Sequence, residues 1–550
     1  MSSVSEHVAV TLAAHLDHVF GIMGNGNAYF LDVLERKTSA DFTPVRHEAG
    51  GVVAADAHFR ACGRMAAATA TYGAGFTNTL TALAESVQAH VPLVLVVGDE
   101  PTSGPRPWGV DQIALASGVG ARTYTVGRAD AAATTVIAIE HALTYQVPTV
   151  LAIPYDVAQL DVGPVPQTPD PVIPAPAPVT GAFATAALSD LAGVLAAAKR
   201  PLLLAGRGAW LSGAGEALGR LAEVTGAVTA STALGRGIFP DTRYDLGVAG
   251  GFGAEDAMAL AQEADVAVVF GASLNQFTMR FGDLFAPGTR VAQVDIAATA
   301  THPNVGTYIR ADAAAVASEL VRELSSRDAK PSGWRESIDV PSLRRYEPGD
   351  DLAPDGRLDP RSVAARIGEL LPTDRVVVSD GGHFIGWANM YWPVASPDRM
   401  IMVGTAYQSI GLGFPSVAGA VMARPESTVV LTTGDGGGLM ALSDLETAVR
   451  VAGGRGIAVV WNDAVYGAEV HVYGRKGLDR HPMEIPQVDF AGIASAIGAE
   501  GVSVRSLSDL DRLAEWAVRP VQERPFLLLD CAVSPDVVAP YQHEIIRVNS

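Results

Sequence analysis

Hydrophobic and polar positions between Ser427 and Gly467 (STVVLTTGDGGGLMALSDLETAVRVAGGRGIAVVWNDAVYG) predict strand, turn, helix and strand in succession. The apolar run Thr428–Leu431 is short, continuous and β-branched, as a parallel strand buried on both faces requires. Leu442, Leu445, Ala448 and Val449 then recur at helical spacing. Gly453 and Gly454 end that helix, and Ile457–Trp461 forms the next strand. A strand–helix–strand unit of this length makes its strands parallel with a right-handed crossover, so both carboxyl ends lie on one edge of the sheet.

The same alternation recurs along the chain and predicts an α/β protein built from three doubly wound parallel-sheet domains. Residues 1–163 carry strands at His18–Ile22, Phe42–Arg46, Met65–Thr71, Pro92–Gly98 and Thr149–Ile153. Seven prolines between Pro164 and Pro178 mark residues 164–182 as an extended, stiff linker. A second domain, 183–328, has strands at Pro201–Ala205, Val266–Phe270 and Val291–Asp295, and a polar connector covers 329–358. The third domain, 359–535, has strands at Val376–Ser379, Met400–Val403, Val429–Thr432, Ile457–Trp461 and Phe526–Leu529, with an irregular tail at 536–550.

Composition narrows the function classes. A chain of 550 residues exceeds one core and suits about three domains. No apolar run approaches the ~20 residues of a membrane span, and the N-terminus lacks a basic leader with a cleavable apolar stretch. Cys62 and Cys531 are the only cysteines, which predicts a reducing, cytoplasmic location without disulfides. A net charge of −20 argues against nucleic acid or an anionic membrane as partner.

The chemistry collects at the carboxyl edge of the last sheet. Asp435 ends one strand and Asn462–Asp463 ends its neighbour, at the place where open α/β sheets bind ligands. Glycines around Asp435 (Gly434, Gly436, Gly437) let backbone N–H groups approach a phosphate. Hard oxygen ligands beside a phosphate cradle suit Mg²⁺ or Ca²⁺ holding a diphosphate.

With GDG and ND in the last of three parallel-sheet units, the chain resembles the thiamine diphosphate-dependent decarboxylases and carboligases, the family of acetolactate synthase, benzoylformate decarboxylase and pyruvate decarboxylase. The resemblance implies pyrimidine-binding, central and diphosphate-binding domains in that order. The segment VRHEAGG is similar to the family's RHE motif and implies that Glu48 is the catalytic carboxylate on the cofactor's aminopyrimidine ring. TYGAGFTNT, from Thr71, is similar to a small-residue turn near the cofactor. GTAYQSIGLGFP is similar to the segment that bends the cofactor, with Ile410 as the stiff wedge and the Gln408 carbonyl accepting from the 4′-amino group. SDGGHF places Gly382 and His383 where the family contacts the diphosphate.

NDAVYG is similar to the family's NN-x-x-YG, which implies Asp435, Asp463 and the Val465 carbonyl as metal ligands, with Tyr466, Gly467 and Ala468 beside the cofactor. Counting forward from Asp435 through the Gly453–Arg455 loop selects Asn462 instead of Asp463; the Tyr466–Gly467 end favours Asp463.

The substrate pocket matches no member of the family. Asn25 falls at a catalytic position where relatives carry an acid or a serine, and Thr71 falls where benzoylformate decarboxylase has a histidine. Trp108, Glu469 and His471 complete the expected pocket, with Glu469 in reach of a proton-relay role. The implied reaction is decarboxylation of a 2-oxo acid to an enamine, followed by protonation or C–C bond formation. The implied assembly is a homodimer or homotetramer with the site between subunits. FAD in the central domain, as in acetolactate synthases, rests on a lone GxG in GRGAW. A relative that binds the cofactor without catalysis, and a flavin or nicotinamide oxidoreductase on Rossmann-like sheets, are the alternative readings.

Overall fold

A computed structural model describes residues 2–105 and 109–549. Among the described residues, apolar runs bounded by glycine and proline form three separate sheets of six strands each, with every pairing between these strands parallel. The first holds β1 (His18–Gly21), β2 (Asp41–Pro44), β3 (Ala67–Ala70), β4 (Val94–Asp99), β5 (Arg122–Thr125) and β6 (Thr149–Pro154), in the order β2-β1-β3-β4-β6-β5. The second holds β7 (Pro201–Ala205), β8 (Val228–Ser231), β9 (Asp245–Val248), β10 (Val266–Phe270), β11 (Arg290–Asp295) and β12 (Val305–Arg310), in the order β12-β11-β10-β7-β8-β9. The third holds β13 (Arg375–Ser379), β14 (Met400–Met402), β15 (Thr428–Gly434), β16 (Gly456–Asn462), β17 (Glu500–Val504) and β18 (Leu527–Ala532), in the order β14-β13-β15-β16-β18-β17.

The first and third sheets therefore share one topology. In each the strand order reverses between the first strand and the third, which opens a crevice at their carboxyl ends. Those crevices fall at Gly24–Gly26 and Thr71 in the first sheet, and at Asp380–His383 and Asp435 in the third.

The two sheets also share an apolar core, in which Phe20, Val52 and Phe76 join Ile401, Val417 and Val429. The helix Glu48–Cys62 packs on the helix Gly413–Ala423 so closely that a Cβ at Gly419 would lie 1.9 Å from the Ala54 carbonyl oxygen. The central sheet keeps its own cores on its two faces. At its switch point the Gly208 N–H donates to the Gly271 carbonyl at 2.9 Å and the Ala209 N–H to Gly206 at 3.1 Å, so these turn donors have backbone partners.

Several elements depart from the expected list. Edge strands β5, β9, β12 and β17, and the inner strand β8, are additional. The tail expected to be irregular carries the helix Pro540–Asn549. Its Tyr541 is buried against Phe252 and Phe277 of the central domain, and its hydroxyl donates to the His383 carbonyl. Residues 165–180 form neither helix nor strand. Among the described residues no helix is long and apolar enough to cross a membrane.

Candidate active site

The carboxyl ends of β15 and β16 bring Asp435 and Asp463 together, each 3% exposed. Asp435 accepts from the Gly436 N–H and, across the strands, from the Ala464 N–H, both at 2.8 Å. Asp463 accepts from the Val465 N–H at 3.2 Å and faces His383 Nε2 at 2.8 Å. Burial, and then the negative charge of Asp463, push the Asp435 carboxyl far above the ordinary carboxylate range, to about 7. Burial pulls His383 down, but Asp463, and after it Asp435 and Glu469, outweigh burial and hold the imidazole above its usual value.

Asn462 turns elsewhere. Its Nδ2 donates to the Val488 carbonyl and to Asp530 Oδ1, both at 2.8 Å. Asp463 lies close enough to Asp435 for its charge to act on it, while the buried Asn462 Oδ1 has no hydrogen-bond partner among the described residues. A 3-10 turn at Gly453–Arg455 joins the helix Leu442–Ala452 to β16. Val465 pairs in an antiparallel bridge with Glu484, through Tyr466 N–H to Met483 O and Ile485 N–H to Ala464 O, both 2.8 Å. That pattern leaves the Val465 carbonyl without a hydrogen bond among the described residues. No cluster of three or more His, Cys, Asp or Glu side chains suited to a metal occurs among the described residues. A set of two carboxylates and a carbonyl is a hard-oxygen site.

Opposite this pair stands the loop Gly404–Leu412. Gln408 sits exposed at φ 58°, a left-handed conformation that costs an ordinary residue about 1–2 kcal/mol. Ile410 is half-buried, and a Cβ on Gly381 would come within 3.3 Å of it. Asp380, fully buried, pins the exit of the loop: it accepts from the Gly411 N–H (3.2 Å), the Leu412 N–H (3.1 Å) and the Thr433 hydroxyl (3.0 Å). Burial pushes the Asp380 carboxyl up to about 6. Gly467 has no room for a side chain, since a Cβ there would lie 2.4 Å from the His383 ring. Gly382, the turn Gly434–Gly437 and the segment Tyr466–Ala468 frame the floor.

The first sheet assembles a second half-site. Glu48 opens its helix, is half-buried, and accepts from Asn78 Nδ2 at 3.0 Å. Thr71 Oγ1 accepts from the Gly26 N–H at 2.9 Å, which fixes the loop carrying the exposed Asn25. Asn27, buried, staples that loop through the Ile22 carbonyl, Thr69 Oγ1 and the Gly24 N–H.

Glu469 is exposed on the helix Gly467–Val472. His471 lies buried beneath it, with Nε2 on the Pro535 carbonyl at 2.8 Å and its ring edge-on to His383 at 5.7 Å; burial lowers its basicity. It supports His383 and does not share the open side with Glu469. Trp108 lies outside the described residues. Sequence reasoning singled out neither Asp380, Asn27, Asn78 nor Glu85. Asp380 and Asn78 stand inside the segments SDGGHF and TYGAGFTNT, where a carboxylate or amide close to glycines was the available signal.

Three family comparisons match in order: the N-terminal TPP binding domain of the thiamine pyrophosphate enzymes over residues 2–117, the central domain over 188–320 and the C-terminal TPP binding domain over 380–531. Acetolactate synthase from Mycobacterium avium is 29% identical over 96% of this chain and 88% of its own length. Sulfoacetaldehyde acetyltransferase from Alcaligenes xylosoxydans xylosoxydans is 27% identical over 94% of this chain and 90% of its own. Among solved structures, the thiamine diphosphate-dependent 4-hydroxybenzoylformate decarboxylase of Rhodococcus jostii RHA1 superposes with a TM-score of 0.78 at 20% identity, over 97% of this chain and 99% of that one, a likeness of fold.

Proposed function

The chain belongs to the thiamine pyrophosphate enzymes, and on that premise we propose that it is a thiamine diphosphate- and Mg²⁺-dependent lyase or carboligase acting on a 2-oxo acid, similar to acetolactate synthase. The observation that carries this reading is the buried pair Asp435 and Asp463 at adjoining strand ends. Burial, and then the neighbouring charge of Asp463, raise the Asp435 carboxyl to about 7. Asp435, Asp463 and the free Val465 carbonyl would hold a divalent cation, whose charge would offset the repulsion between the two carboxylates.

Gly382, His383, Gly434–Gly437 and Tyr466–Ala468 would hold the diphosphate, and Ile410 with the Gln408 carbonyl would meet the pyrimidine side. Thiamine diphosphate, when bound, supplies the carbanion chemistry that lets a 2-oxo acid lose CO₂. The protein's own work is orientation and proton traffic. Glu48 exchanges a proton with the aminopyrimidine ring, and Glu469 serves as acid or base at the substrate carbon. Asn25, on the loop held by Thr71, contributes to the substrate side.

A homodimer or homotetramer with the site between copies completes the proposal. The helix led by Glu48 packs on the helix Gly413–Ala423, and the short helix Asp435–Met440 packs on β15, β16 and that same helix Gly413–Ala423. Apolar side chains stand exposed beside each half-site, Met23 (66%) beside one and Tyr407 (50%) and Met440 (59%) beside the other, as surfaces covered by a second copy would. Product analysis tests the reading. Acetolactate from pyruvate identifies a synthase, and benzaldehyde from benzoylformate a decarboxylase. A protein that binds the cofactor yet turns over no member of a broad 2-oxo acid panel contradicts it.

A further inference from the structure

The Gly404–Leu412 loop is held from the first domain as well as from its own. Arg60, buried on the helix Glu48–Cys62, donates from Nη1 to the Met402 carbonyl at 2.6 Å, just before the loop begins. Arg60 also donates to Asp56, Nε to Oδ1 at 2.5 Å and Nη2 to Oδ2 at 3.3 Å, and from Nη2 to Glu85 Oε1 at 3.2 Å. Glu85, 1% exposed on the helix Leu80–Gln88, accepts from the Tyr407 N–H at 2.7 Å and from the Ala406 N–H at 3.4 Å.

Asp56 alone suffices to pair Arg60. Glu85 brings a second negative charge to a buried group that holds Arg60 and also feels the charge of Arg207, and the lone pairs of Glu85 that Arg60 does not meet still need donors. The donors that meet Glu85 are the N–H groups immediately before Gln408, the residue held at φ 58°. Strained backbone of that kind persists only where its surroundings over-determine it. Glu85 fixes the approach to Gln408 and Asp380 fixes the exit.

We propose that Glu85 is a positioning residue for cofactor binding: from the pyrimidine-side domain it sets the loop that presents the Gln408 carbonyl and Ile410 to the cofactor's aminopyrimidine. This rests on the thiamine diphosphate reading above. The removal of a charge-assisted hydrogen bond to the loop is worth roughly ten- to a hundredfold in affinity.

The test compares Glu85→Gln with Ser86→Ala. Ser86 donates to Asp56 Oδ2 at 2.8 Å, so its loss loosens the same buried group on the side away from the loop. Each variant is titrated with thiamine diphosphate in excess Mg²⁺, and the near-ultraviolet circular dichroism of the bound aminopyrimidine is recorded at saturation. Glu85→Gln is expected to lose affinity by roughly ten- to a hundredfold and to alter the dichroic band, while Ser86→Ala lowers the melting temperature but leaves affinity and band unchanged. Wild-type affinity and band in Glu85→Gln, or equal losses in Ser86→Ala, overturn the proposal. Should Glu85→Gln not fold, Glu85→Asp keeps the charge but withdraws it from the loop; the same loss is expected, and wild-type affinity overturns the role. Failure of the wild-type protein to bind would instead defeat the cofactor assignment and not the role of Glu85 within it.

Discussion

His383 Nε2 lies 2.8 Å from Asp463 Oδ2, which joins the turn after β13 to the turn after β16 across the crevice of the third sheet. The imidazole thereby offsets part of the charge that Asp463 brings beside Asp435. Its replacement by alanine leaves a buried carboxylate short of a donor, a loss of about 1.5–3 kcal/mol. Titration calorimetry of His383→Ala should show weaker thiamine diphosphate binding and a lower melting temperature for the free protein. Wild-type values for both would remove His383 from the site.

The Asp435 carboxyl, raised to about 7 by burial and by Asp463, sets a pH dependence. Below that value the folded protein holds a proton that a metal ion must displace, so metal affinity falls as the pH falls. Its folded value exceeds its unfolded value, so proton binding itself favours the metal-free fold at low pH and that contribution is lost as pH rises through about 7. The melting-temperature gain from Mg²⁺ and thiamine diphosphate should therefore grow from about pH 6 to about pH 8. In Asp463→Asn, with the neighbouring charge gone, the midpoint should move to lower pH. A gain independent of pH in both proteins would contradict the coupling.

Glu48→Gln keeps the shape of the side chain and the hydrogen bond from Asn78, but it cannot take a proton. Proton transfer of this kind is worth about 10²- to 10⁴-fold. The rate of product formation, and of hydrogen–deuterium exchange at the cofactor's C2, should fall by that order while cofactor binding persists. Full activity would end the assignment of Glu48.

A methyl group at Gly467 would collide with an imidazole that is hydrogen-bonded to Asp463 and backed by His471. Gly467→Ala should cost about 1–3 kcal/mol of stability by overpacking and weaken cofactor binding. Unchanged melting temperature and affinity would show that His383 moves freely.

The unit from β15 to β16 was legible because both strands are buried throughout and read as unbroken apolar runs. The edge strands β5 and β17, RTYT and EGVSV, were not, since they are largely half-buried or exposed and carry no such run. The helix Pro540–Asn549 escaped notice because one residue, Tyr541, does much of its docking. Asp435, Gly467 and Ile410 stand in motifs whose residue types and spacing can be read without the fold. Glu85 and Asp380 could not be assigned a role, because a carboxylate that clamps a distant loop looks in sequence like a solvated one. The alternative between Asn462 and Asp463 could not be read from spacing: in the fold Asn462 Nδ2 donates to Asp530 with its Oδ1 unpartnered among the described residues, and Asp463 faces His383.

Titration calorimetry of thiamine diphosphate into the wild-type protein and into Asp435→Ala, each with and without Mg²⁺, bears most directly on the paired carboxylates. Tight binding by the wild type only when Mg²⁺ is present, lost in Asp435→Ala, is expected. No heat of binding to the wild type with Mg²⁺, or equal binding by Asp435→Ala, would contradict the assignment of Asp435 and Asp463 to a metal-held diphosphate.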